Sequence, residues 1–136
     1  MPSSLSDIYT ALSSALNTAA GSYKVAWEND QFTPGTAPYL EPRHLAQEIE
    51  PATLGSTGLN QHRGILEVSA VVPKDSGAGT ALGILDSLRT AFARGTRLTY
   101  NGLTVTIESH STGQAFPDKA WVRYPLYVTW RCHAPS

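Results

Sequence analysis

Residues 62–92 read HRGILEVSAVVPKDSGAGTALGILDSLRTAF, and this stretch decides the fold. In an extended chain Leu66, Val68, Ala70 and Val72 fall on one face, because strand side chains alternate with period two. The other face carries Ile65, Glu67, Ser69 and Val71, a mixture neither cleanly polar nor cleanly apolar. Such a strand is expected to be covered on both sides, one of them by a partner subunit. Pro73 ends the strand. Asp75 or Ser76 then stands as N-cap of a helix whose buried stripe is Ala81, Leu82, Leu85, Leu88 and Phe92, with Gly95 as its terminator.

Towards the N-terminus, Leu5, Ile8, Leu12, Leu16 and Ala19 recur at helical spacing, with Ala11 and Ala15 on the flank. This predicts an amphipathic helix over residues 5–20, with Ser4 as its cap and Gly21 at the left-handed position after its end. Tyr23 to Trp27 alternates as a strand and runs into a turn-rich segment, Glu28 to Pro38. A second strand is expected over Tyr39–Leu45, and Pro42, lacking a ladder donor, places it at an edge or a bulge. Residues 49–61, IEPATLGSTGLNQ, show no periodicity and read as a long flexible loop, a kind that usually binds something or moves.

Towards the C-terminus, Asn101-Gly102 between Arg97–Tyr100 and Leu103–Glu108 signals a hairpin with a type I′ turn. Gly113 to Lys119 reads as a loop. Val122, Tyr124, Leu126, Val128 and Trp130 share one face of a final strand, Trp121–Trp130, leaving a short tail at 132–136. Helix, strands, helix, strands is the order of an α+β single domain, a mainly antiparallel β-sheet covered by two α-helices. A length of 136 residues suits one such core.

Composition narrows the function. A net charge of −1 supplies no basic field for holding nucleic acid by counterion release. The single cysteine, Cys132, has no intrachain partner and reads as a free thiol in the tail. The N-terminus lacks a basic start and an apolar run, so no signal peptide is expected, and no segment has the length of apolar chain that spans a bilayer.

The chemical motifs fail one by one. Gly77, Gly79 and Gly83 resemble a phosphate-cradling loop, yet Leu82-Gly83 stands where a P-loop has Lys and Ser or Thr. The same glycines miss the dinucleotide spacing by one residue, and a tight turn of the loop with close approach of the helix to the sheet explains them better. His44, His62, His110 and His133 are scattered and form no paired ligand motif, so no metal or other cofactor is expected. Cys132 and His133, adjacent on a strand, point to opposite faces and cannot act as nucleophile and base. Trp27, Trp121, Trp130 and the tyrosines read as core or interface anchors. Arg63, Arg94, Arg97, Arg123 and Arg131 are residues typical both of solvated strand faces and of interfaces. No catalytic residue is expected. A small ligand-binding α+β domain or enzyme would need a compact polar cluster that the spacing does not provide.

Several of these features combine in one pattern. Trp27-Glu28-Asn29 with Phe32 and Pro34, Tyr39-Leu40, His62-Arg63-Gly64-Ile65 with Val68, Pro73 with Gly77 and Gly79, and Asp86, Leu88 and Phe92 follow in order. With the closing Trp121, Pro125-Leu126, Val128 and Trp130, they resemble the tail terminator-like (tail completion) family of long-tailed bacteriophages over residues 5–131. The resemblance implies a structural virion protein with no reaction and no cofactor. It implies a homo-oligomer, usually a hexameric ring, that caps the head-proximal end of the tail tube. Such a ring ends tail polymerisation and meets the head–tail connector or neck proteins. It also implies a place in the virion tail or neck, with assembly in the host bacterial cytoplasm. Near-neutral charge fits an annulus through which DNA slides without specific binding. The expected contact residues are Trp27, Phe32 and Tyr39, Leu54 and Leu59 in the long loop, Asn101 and Gly102 at the hairpin tip, and Phe116. Other neck or minor tail roles, such as head completion, remain within the same structural class.

Overall fold

The structure is a computed structural model that describes residues 4–28, 32, 35, 37–51, 60–75 and 77–134. Helix α1 spans Ser4–Ala20 and strand β1 Lys24–Val25, followed by β2, Tyr39–Pro51, and β3, Asn60–Pro73. Helix α2 spans Ala78–Ala91, and β4, Arg97–Tyr100, β5, Leu103–Thr112, β6, Phe116–Asp118, and β7, Trp121–Ala134, complete the chain. The seven strands form one sheet in the order β1-β2-β3-β7-β5-β4, with β6 also paired to β7. Among the described strands only β1 runs parallel to its neighbour. The architecture is the expected single α+β domain.

Both helices lie on one face of the sheet. Ile8, Ala11, Leu12, Leu16 and Ala20 of α1 are buried there with Ala81, Ile84, Leu85, Leu88 and Phe92 from α2 and its C-cap. They meet Leu40, Leu66, Val68, Ala70 and Val72, and Val105, Ile107, Leu126, Val128 and Trp130 from the sheet. The period-two reading of β3 is therefore correct. Its other face is mixed in burial as well, with Ser69 and Val71 covered and Arg63 open.

Several expectations need correction. Ser4 is the first helical residue rather than the cap, and Leu5 is 57% exposed, so the buried stripe of α1 starts one turn later. The strand expected over Tyr23–Trp27 shrinks to Lys24–Val25. In α2 the stripe passes through Ile84, while Leu82 is exposed, because residues 81, 84, 85, 88 and 92 follow the 3.6 period and 82 is rotated off it. Gly77 caps that helix with φ 85° and no side-chain hydrogen bond. Asp75 lies in the preceding turn at φ 68°, and Ser76 is outside the described residues.

The expected loop at 49–61 is shorter than the sequence suggests. Its ends belong to β2 and β3, where Ile49 pairs with His62 and Pro51 with Asn60, and residues 52–59 lie outside the described residues. A register shift between His44 and Gln47 hides this continuation, since it breaks the alternation a strand would otherwise show. Gly113–Lys119 is likewise not all loop. β6 pairs Phe116–Asp118 with Trp121–Arg123 across the two-residue turn Lys119-Ala120. Finally, there is no tail at 132–134. β7 pairs with β3 along its whole length, and Cys132 is buried beside Val105.

Candidate interaction surface

Two of the aromatic residues expected at the turn after β1, Phe32 and Tyr39, pack on each other. The Phe32 ring lies 4.8 Å from Tyr39, and Tyr39 meets Trp121 edge-on at 5.2 Å. Tyr39 is buried, Phe32 half-buried, and Trp27 packs against the rim of the core. A concavity of about 340 Å³ opens beside this cluster, with Tyr23, Lys24, Phe32 and Tyr39 in its wall. The outward surface of these three sequence-derived contact residues is modest.

The hairpin tip is as expected in backbone geometry: Asn101 and Gly102 both have positive φ, 53° and 86°, as a type I′ turn requires. The Asn101 side chain, though exposed, is engaged within the chain. Asn101 Nδ2 donates to Asp7 Oδ2 at 3.1 Å, tying the tip of the β4–β5 hairpin to the first turn of α1. Phe116, by contrast, is 62% exposed at the start of β6, and among the described residues it has the most open large apolar side chain. Leu54 and Leu59 lie outside the described residues.

The helix-free face of the sheet is charged, and sequence reasoning did not organise it. Arg43 Nε donates to Glu67 Oε1 at 3.1 Å, Arg63 reaches Glu108 at 3.3 Å, and Arg123 pairs with Glu41. Each pair joins different strands and so pins register, though such solvent-facing pairs contribute only about 0–1 kcal/mol each. Near β4 a concavity of about 500 Å³ is lined by Arg97, Thr104, Thr106, Arg131 and His133. A smaller one of about 230 Å³ beside it includes Arg94 and Glu108. The scattered arginines of the sequence were the available signal, and only the strand register gathers them.

Catalytic chemistry finds little to work with among the described residues. No three His, Cys, Asp or Glu side chains converge as metal ligands. Cys132 is buried and His133 exposed, on opposite faces as strand geometry demands, and burial pushes the thiol up in pKa, away from the reactive thiolate. Burial also lowers the pKa of His62 and His44, the latter partly offset by the nearby Glu28 carboxylate. No helix among the described residues is long and apolar enough to cross a membrane.

Comparison with known proteins decides the family. The sequence model described as phage tail terminator protein matches residues 7–130, nearly the whole chain. The chain belongs to the phage tail terminator family. It is thus a relative of structural tail and neck components. A search of curated proteins finds no match. Among solved structures, a chain without a functional name superposes with TM-score 0.74 at 24% identity, with 96% of each chain covered. A chain from the virion of a native gene transfer agent particle superposes with TM-score 0.51 at 16% identity, covering 96% of this chain and 93% of that one. At these identities both likenesses concern the fold of the terminator-family chain.

Proposed function

We propose that this chain closes into a ring, six copies in the usual family arrangement, on the head-proximal end of a completed tail tube. The ring ends polymerisation by covering the growing end with a different surface, and that surface receives the connector or neck proteins. Family membership across residues 7–130 carries the reading. The charged helix-free face and exposed Phe116 are compatible with it, because they leave polar and apolar contact surface outside the core. The like-folded chain in a gene transfer agent virion fits a place in a particle of this kind. No chemical step belongs to this function. DNA passes through the lumen without sequence-specific contacts.

A head-to-tail contact that closes on itself gives a ring of fixed size, and many weak contacts acting together make the cap firm. The test is the absolute mass in solution by light scattering, with negative-stain images of the same fraction and of that fraction mixed with tail tubes. A ring alone or on tube ends, with tubes that no longer elongate, is the expected result. Tubes that keep growing with the protein present, or a chain that binds heads and ignores tubes, would move it to another neck role.

A further inference from the structure

The strand registers align one transverse row of side chains on the helix-free face. Glu48 of β2 lies opposite Arg63 of β3, and Arg63 lies opposite Arg131 of β7. Arg131 lies opposite Thr106 of β5, and Thr106 opposite Arg97 of β4. The row crosses the sheet from one edge to the other and is polar in the electrical sense. At the β2 end, Glu48 and Glu50 are exposed, and neither forms an ion pair among the described residues. At the β4 end, Arg94 and Arg97 are exposed beside the two concavities, which Arg131 of the central strand β7 also lines. Among the described residues Glu108 is the one carboxylate there, and it already holds Arg63.

These two ends cannot satisfy each other within one molecule. Four strand spacings separate β2 from β4, about 19 Å, well beyond the screening length of about 8 Å at physiological salt. Among the described residues both ends are also free of strand partners. β1 covers β2 only at Tyr39 and Leu40, well short of Glu48, and β4 ends the strand order. Charge forbids the symmetric solutions: two β2 edges would oppose carboxylates, and two β4 edges would oppose guanidinium groups. The complementary solution is head to tail.

We infer that the Glu48–Glu50 end of β2 in one copy docks on the Arg94–Arg97 end of the sheet, at β4, in the next copy, and that this contact is the repeating joint of the ring. The inference rests on the ring reading above and names the surfaces that make it. Each copy presents one acidic and one basic edge, so addition continues in one rotational sense until the last basic edge meets the first acidic one. The contact is steered by charge and weakens with salt.

The experiment is a charge exchange read by mass photometry and light scattering on the full chain. Glu48→Arg alone and Arg97→Glu alone should each weaken ring formation on the order of 100-fold, because each sets like charges across the joint. The double variant, Glu48→Arg with Arg97→Glu, should recover assembly, since the edges are again complementary. Circular dichroism melts confirm that all three remain folded. Single variants that assemble like the wild type overturn the contact and leave the ring standing. A folded double variant that fails to recover overturns it as well. If Arg97→Glu keeps the ring but loses retention of a short DNA duplex, the basic end belongs to phosphate rather than to a second copy. A wild-type chain that forms no ring, even on tube ends, fails the terminator reading itself and the joint with it.

Discussion

Phe92 illustrates how the residue scale governs stability. It closes α2, is wholly buried, and its backbone N–H donates to Leu88 at 2.9 Å. Phe92→Ala removes the largest of the fully buried side chains and should cost about 3–5 kcal/mol, read from denaturant midpoints at unchanged slope. The histidines give a pH signature with a definite sign. Burial lowers the pKa of His62 and His44 below 6.5 in the folded chain, so the unfolded chain binds protons first as pH falls. Their contribution is intact above about pH 6.5 and is lost as pH drops through the folded values. Melting temperatures should therefore fall between pH 7 and pH 5, and His62→Gln should flatten part of that slope. A slope unchanged by the substitution would remove His62 from the account. Phe116 behaves differently, because its ring is already in solvent. Phe116→Ser should shift folding stability by no more than about 0.5 kcal/mol, and an effect on ring or tube binding would mark it as a contact residue.

At the scale of elements, what the sequence made legible and what it hid divide along physical lines. Local signals read correctly: the 3.6 period of both helices, the alternation of β3, and Asn101-Gly102, where a turn needs two positive φ values. Signals that depend on long-range pairing did not. The turn Lys119-Ala120 has no glycine or asparagine, and Lys119 takes φ 58° under the constraint of the strands around it, so the β6–β7 hairpin was invisible. The shift between His44 and Gln47 likewise concealed half of β2. The charged row on the open face exists only in the register of five strands, and none of its members announces itself. Gly113 shows a packing demand of the same hidden kind. Its N–H donates to Pro125 at 3.1 Å, and a Cβ there would stand 2.9 Å from both Pro125 Cγ and Tyr127 Cε2. Gly113→Ala should destabilise the junction of β5 and β6 with β7 by about 1–3 kcal/mol, measured by thermal or denaturant unfolding. A neutral result would mean that the Tyr127 ring swings aside freely.

For the whole molecule, the central position of β7 has a consequence for how the protein is made. β7 lies between β3 and β5 and follows both in the chain. Before it emerges from the ribosome, β2 with β3 and β4 with β5 are separate pieces, each with one raw edge turned towards a strand not yet synthesised. Chains cut before Pro125 should lack cooperative unfolding and should aggregate through those edges, as seen by light scattering and a lost melting transition. Refolding of the intact chain should be slow for its size, because the pairing that joins the halves spans long stretches of sequence. Translation thus acts as a timer: an unfinished copy has two open seams and a broken transverse row, and it is excluded from assembly until its last strand seals them.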